Sequence, residues 1–351
     1  MMQFNLALIS TFGLLAIASP VPETPYFKLN KRETVSAAEV SAFDFYAQYA
    51  AAAYCNSQAA AGSTITCSEE ACPDVNSAGA KIVSTFSGDV TDIQGFVSSD
   101  DKNQLIVVSV KGSESIRNWI ADLTFIQTGC DLVDGCEVHA GFLTAYNEIA
   151  DSLLAGLASA QSANPSYKII FTGHSLGGAV STVAAGYARN KNYAVDLYTY
   201  GSPRVGNEAF VNFITQQAGA EYRVTHLDDP VPRLPPIAFD YRHTSPEYWL
   251  SDGTSTQSDY TAADIKVCDG FANTDCNGGT DGLDIDAHLY YFEHISGCGP
   301  DGISFKPRSV QANVTHDMAT SEPEDVSDEE LTARLNDWAA KDRELSAKLN
   351  A

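Results

Sequence analysis

Residues 168–190 read KIIFTGHSLGGAVSTVAAGYARN. An apolar, β-branched run gives way within a few residues to a helical run of small side chains. This switch constrains the fold more than any other feature of the chain. Gly173-His174-Ser175-Leu176-Gly177 fits the pattern G-x-S-x-G, in which a serine sits on a sharp, strained turn between a buried strand and a helix. Side chains flanking the serine would collide in such a turn, so glycines stand there. Ser175 also falls at the helix N-terminus, where free N–H groups favour a developing negative charge.

The rest of the chain supplies a setting for this elbow. VSAAEVSAFDFYAQYAAAAYC, near the start, reads as a helix, and KIVSTFS, IQGFVSSD and NQLIVVSVKG read as strands. EVHAGFLTAYNEIADSLLAGLASAQSANP is a helix stopped by Asn164-Pro165. After the elbow come a strand and turn in DLYTYGSPRVG, a helix in NEAFVNFITQQAG and a strand in EYRVTHL. Strands alternating with helices of about a dozen residues predict an α/β fold, with a mainly parallel central sheet and helices on both faces.

The ends of the chain differ in character. Leu6 to Ala18 is apolar, too short to span a bilayer and closed by the small residues AIAS. Residues 1–18 are therefore expected to be a signal peptide, although the terminal amine supplies the sole positive charge before the apolar run. Residues 19–32 carry three prolines and close on Lys31-Arg32, a dibasic processing site, so 19–32 is expected to be a propeptide and 33–298 the catalytic domain. Residues 299–351 are expected to be an acidic, disordered tail. Within it, Asn313-Val314-Thr315 is the sole glycosylation sequon, and Ser327 to Glu330 is a capping-box pattern. Leu331, Leu335, Trp338, Leu345 and Leu349 then follow at mostly heptad spacing, with Asp342 interrupting the seam. That pattern predicts a terminal amphipathic helix.

Eight cysteines fit an oxidising, extracellular compartment. Cys67 and Cys72, Cys130 and Cys136, and Cys268 and Cys276 are near enough to pair locally, which leaves Cys55 with Cys298. No metal is expected: no pair of CxxC motifs exists, and the aspartates of CDGFANTDCNGGTDGLDID do not fit an EF-hand loop. A formal net charge of −24 argues against nucleic acid and against anionic membranes, but not against a neutral oil–water interface.

A serine nucleophile needs a base, and the base needs an orienting carboxylate. In this fold class they follow in the order Ser, acid, His. EYRVTHLDDPVPRLPP offers Asp228 and Asp229 at a strand end, and the pattern barely separates them. Among the later histidines, His316 lies in the tail and His243 close after the acid. His288 and His294 lead into Cys298, and His288 stands just before the aromatic run LYYF. His139, His174 and His226 precede the acid and read as structural. One further element stands out in GSESIRNWIADL. Ile116, Trp119, Ile120 and Leu123 fall at i, i+3, i+4 and i+7, which predicts a short amphipathic helix from about Ser115 to Leu123.

Taken together, GHSLGG, TYGSPRVGN, DPVPRLPP with HTSPEYW, and DAHLYYF before a late cysteine resemble the secreted filamentous-fungal class 3 lipases of the Thermomyces and Rhizomucor type. The resemblance spans about Val40 to Cys298. It implies an α/β-hydrolase-like fold and a serine ester hydrolase acting on triacylglycerol at a lipid–water interface. It implies Ser175 as nucleophile, Asp229 as orienting acid and His288 as general base, and an oxyanion hole from Ser113 and the Leu176 N–H. It also implies the bridges Cys55–Cys298, Cys67–Cys72 and Cys130–Cys136. The helix carrying Ile116, Trp119, Ile120 and Leu123 would be the lid. No cofactor or metal is required, and the enzyme is expected to be a secreted monomer with acylglycerol as its partner. Lys111 stands where close relatives look to have Arg, and Cys268–Cys276 is an extra pair. A feruloyl esterase acting on soluble cell-wall esters is the alternative, and a non-catalytic interface-binding protein a remote one.

Overall fold

The computed structural model describes residues 34–68, 71–113, 116–298 and 326–350. The expected signal and propeptide segments, Asn313 and His316 lie outside them. In chain order the elements begin with α1 (Ala37–Asn56), α2 (Pro73–Ala78), β1 (Lys81–Ser87), β2 (Gln94–Asp100), β3 (Leu105–Val110) and α3 (Ile116–Asp122). Then come β4 (Gln127–Gly129), β5 (Glu137–His139), α4 (Ala140–Ala163), β6 (Lys168–His174), α5 (Leu176–Asn190) and β7 (Val195–Tyr200). The last are α6 (Glu208–Gln216), β8 (Glu221–His226), β9 (Glu247–Leu250), β10 (Ile265–Cys268), α7 (Ile285–Leu289) and α8 (Asp328–Leu349).

Eight strands form one sheet in the order β1-β2-β3-β6-β7-β8-β9-β10. β3, β6, β7, β8 and β9 pair in parallel, and antiparallel partners flank them at each end. The side-chain period of two sorts the strand residues onto two cores. Ile169 and Phe171 of β6 join Ile106, Val108 and Val110 of β3 beneath α4, α5 and α6. Ile170 and Val107 face the opposite core, beneath α1. The sheet is therefore covered on both faces, an α/β-hydrolase-like architecture with a parallel centre.

α1 is held close to the sheet by its composition. Its alanines let the backbone approach, and hydroxyls from three strands donate to its carbonyls. Ser109 bonds Tyr49 O at 2.8 Å, Thr172 bonds Tyr46 O at 3.2 Å and Tyr200 bonds Phe43 O at 2.6 Å. Ser36 and Glu39 close a capping box at its N-terminus.

Three departures from the sequence reading have local causes. Glu137–His139, read as the start of a helix, is a strand that pairs with Gln127–Gly129, and α4 starts only after it. The His139 ring caps α4, with Nδ1 accepting from Gly141 N at 3.1 Å. β9 and β10 are four residues each, too short to carry a periodic signal. The third concerns the C-terminus, where the expected helix and its Ser327 cap are present but the helix is docked on the body rather than part of a disordered tail. Ser327 Oγ caps α8 by accepting from Glu330 N at 3.2 Å, and Leu331 and Leu335 are buried in a third apolar cluster with Ile116, Ile120, Val231 and Leu234. Asp342, which interrupts the heptad seam, is buried against Arg204 at 2.8 Å. A polar residue at that position suits a helix docked on a polar anchor rather than on an apolar partner alone.

All eight cysteines are bridged, as Cys55–Cys298, Cys67–Cys72, Cys130–Cys136 and Cys268–Cys276. The first spans 243 residues and ties the end of α1 to the segment following α7. Cys55, Cys67 and Cys298 cluster because two of these bridges adjoin, so their sulfurs are not metal ligands. Among the described residues no helix is long and apolar enough to cross a membrane.

Candidate active site

Ser175 stands at the junction of β6 and α5 with φ 58° and ψ −130°, a conformation that costs a residue bearing a side chain on the order of 1–3 kcal/mol. The surroundings hold it there. Its N–H donates to Tyr200 O at 2.9 Å, and its carbonyl accepts from Gly178 N at 2.9 Å. The flanking glycines are required by space. A Cβ on Gly173 would lie 2.4 Å from the Gly177 carbonyl, and one on Gly177 would lie 2.1 Å from Val110 O. Leu176 opens α5, so its N–H has no acceptor within the helix.

Gly112, two residues past β3, abuts the same point. A Cβ there would sit 3.2 Å from the Ser175 Cβ and 2.6 Å from His174 O. Ser113 is therefore the next residue along a strand end that borders Ser175, and it is half-buried.

Asp229 and His288 form a buried pair. His288 Nδ1 lies 2.8 and 2.9 Å from the two oxygens of Asp229, and neither side chain is exposed. Two further donors serve the carboxylate: Val231 N at 2.8 Å to Oδ1 and Tyr291 Oη at 2.5 Å to Oδ2. A carboxylate on the Nδ1 side keeps the ring proton there and leaves Nε2 with a lone pair. Gly201 faces this pair, since a Cβ on it would lie 2.9 Å from Asp229 Oδ2 and 3.0 Å from the His288 ring. Gly201 directly follows Tyr200, the residue that holds the Ser175 N–H. Ser175 Oγ and His288 Nε2 are both buried and make no hydrogen bond in this conformation.

The competing residues are placed elsewhere. Asp228 is half-buried, makes no bond to His288, and its Oδ2 points to Gly282. His294 stacks on Tyr290 with ring centroids 4.8 Å apart. His243 Nε2 meets Pro232 O at 2.6 Å, and His139 Nε2 meets Thr124 O at 2.6 Å.

His174 and His226 hold the backbone that carries His288. His174 Nε2 lies 2.8 Å from His288 O, and His226 Nδ1 lies 2.9 Å from Ala287 O. A carbonyl can only accept, so those ring nitrogens carry the protons. The other nitrogen of each ring meets a tyrosine hydroxyl, Tyr54 Oη at 2.8 Å on His174 Nδ1 and Tyr260 Oη at 2.9 Å on His226 Nε2. Burial, and for His174 also the adjacent His288, holds their basicity below the ordinary histidine range. Tyr54, Tyr260 and Tyr291 were not singled out in the sequence. The aromatic run after His288 was the sole signal for Tyr291, and the other two come from distant segments with no shared pattern.

Ile116 and Ile120 of α3 are 5% and 2% exposed, and Trp119 and Leu123 are partly covered in the same cluster. Their neighbours Val231 and Leu234 lie two and five residues after Asp229, so α3 packs on the loop that holds the carboxylate.

The sequence pattern of the lipase (class 3) family matches residues 107–239, and that of the lipase 3 N-terminal region matches residues 8–83. A secreted mono- and diacylglycerol lipase 1 from Fusarium solani is 49% identical over 347 residues, 98% of each chain. The secreted mono- and diacylglycerol lipase A of Penicillium cyclopium is 41% identical over 80% of this chain and 92% of its own. The crystal structure of a mono- and diacylglycerol lipase from Aspergillus oryzae matches with a TM-score of 0.71 at 43% identity, over 74% of this chain and 98% of that one. A carboxylic ester hydrolase of the extracellular fungal kind carries this fold, and the chain belongs to the class 3 lipase family.

Proposed function

We propose that this lipase hydrolyses acylglycerols at a lipid–water interface through an acyl-enzyme on Ser175. The observation that carries the reading is the buried Asp229–His288 pair beside a serine held at positive φ. His288 Nε2 takes the Ser175 proton as Oγ attacks the ester carbon. The oxyanion is met by the Leu176 N–H and by Ser113, and one such donor is typically worth about 3 kcal/mol. His288 passes its proton to the leaving alcohol. It then draws a proton from water, which attacks the acyl carbon, and fatty acid departs as Ser175 recovers its proton.

α3 is the lid. Its apolar stripe covers the site when closed and meets lipid when open. A lipid substrate is favoured over a soluble ferulate ester by that stripe and by the exposed apolar residues next to it, Ile126 at 64% and Phe239 at 48% exposure. Partial glycerides are favoured as the preferred substrates by the names of the Fusarium and Penicillium relatives.

The test compares rates on emulsified tri-, di- and monoacylglycerol and on methyl ferulate, above and below each lipid's solubility limit. The reading expects a rise on crossing the limit. A rate that is flat across it and confined to methyl ferulate overturns the reading.

A further inference from the structure

We propose that α8 is a tethered latch that holds α3 closed over the catalytic centre, so that the lid opens only when the lid-side half of α8 lets go. The inference rests on the reading of α3 as a lid. Leu331 and Leu335 are fully buried on Ile116 and Ile120, the residues a lid must expose to lipid. The lid stripe is thus already occupied, by this chain's own C-terminal helix.

The polar ties of α8 fall into two sets. On the lid side Arg117 pairs with Asp328 at 2.6 Å and also donates to Val326 O. That ion pair is exposed, and exposed pairs contribute little. On the body side the Arg204–Asp342 pair is fully buried, and Asn336 Oδ1 accepts from Gly282 N at 2.7 Å. Arg343 reaches Asp281 at 2.9 Å and Gly279 O at 3.1 Å, on the segment that leads to His288. The helix is therefore anchored firmly to the body and lightly to the lid. Its grip on the lid is chiefly apolar, which is the kind of contact that a lipid surface competes for. The exposed Phe239 touches this system through Phe125, whose ring lies 4.8 Å from Phe239 and 5.1 Å from Trp338. A neutral lipid surface arriving at Phe239 and Ile126 meets the edge of the latch first.

The experiment uses the full chain and its Leu331→Asp/Leu335→Asp variant. Two rates are measured without lipid: phosphorylation of Ser175 by diethyl p-nitrophenyl phosphate, and hydrolysis of p-nitrophenyl butyrate below its solubility limit. A closed system whose open form is populated at roughly 0.1–10% leaves room for a rise of about tenfold or more in both rates. A synthetic peptide of residues 327–350 should slow the variant again. Unchanged or lower rates in a variant that keeps its melting temperature overturn the latch. If the double variant fails to fold, the milder Leu331→Ala/Leu335→Ala variant, which trims the same apolar contact without burying charge, serves instead, and unchanged rates there overturn the latch equally. Should no form of the protein be labelled at Ser175, even on phosphatidylcholine emulsion, the proposed function fails rather than the latch.

Discussion

Arg204 Nη1 and Asp342 Oδ2 lie 2.8 Å apart, with side chains 1% and 2% exposed, so a residue next to the catalytic sheet is paired with one near the end of the chain. Arg204 also donates to Arg233 O at 2.7 Å and Pro235 O at 2.9 Å, within the loop that follows Asp229. The guanidinium thus joins that loop to α8. Burial lowers its basicity and Asp342 restores part of it.

Asp342→Ala should be strongly destabilising, by about 3–5 kcal/mol, because it leaves Arg204 buried without its counter-charge. Replacing both partners by apolar residues, as in Arg204→Met/Asp342→Leu, should cost much less, since no orphaned charge remains. Differential scanning calorimetry of the three proteins checks this. A double variant as unstable as the single one would show that the other bonds of Arg204, not its charge pairing, hold the loop.

The parallel sheet and the elbow were legible because each rests on local pattern. β-branched runs and glycine spacing are dictated by sterics within a few residues, as the contacts at Gly173 and Gly177 show. The Arg204–Asp342 pair and the Tyr54–His174 and Tyr260–His226 relays were not legible. Each joins residues 34 to 138 positions apart, and no periodicity links them. The same holds for the docking of α8. Its heptad pattern announces a helix, whereas its partners Ile116 and Ile120 sit more than 200 positions away, in a helix whose own stripe reads as a separate apolar face.

Asp229→Asn should lower kcat by roughly 10⁴ with the fold retained. Val231 N donates to Oδ1, so the amide oxygen takes that side and the NH₂ faces His288. The ring must then accept at Nδ1 and carry its proton on Nε2, where it cannot act as a base. Tyr291→Phe is the milder companion. It removes the hydroxyl that donates to Oδ2 and should cost about 1.5–3 kcal/mol, shared between stability and activity. Steady-state kinetics with a melting curve for each variant separates the two. Full activity in Asp229→Asn would remove the carboxylate from the mechanism.

Glu293 provides a pH signature. Burial, with Asp44 and Asp74 nearby, raises its pKa from 4.5 to about 9. The folded state therefore keeps a proton that the unfolded state releases above about pH 4.5. Between the two values the unfolded chain binds fewer protons, so this residue makes stability fall as pH rises. Glu293→Gln should melt several degrees higher than the parent at pH 8 and about equally at pH 4.5. Melting curves at the two pH values decide it, and a difference of the same size at both would mean that charge is not involved.

Trp119→Ser tests the lid from its other side. Trp119 is partly covered among the residues around Ile116 and Ile120, so the change removes a large apolar group from the stripe while leaving the catalytic residues untouched. Burying such a ring in lipid is worth about 1.5–3 kcal/mol, so binding to a triacylglycerol emulsion should weaken by roughly tenfold or more. Hydrolysis of a soluble short-chain ester should change far less, because that substrate offers no surface for the ring to enter. The measurement is emulsion binding by sedimentation together with the two hydrolysis rates. An equal loss on both substrates would assign Trp119 to the support of the catalytic loop through Val231 and Leu234 rather than to lipid contact.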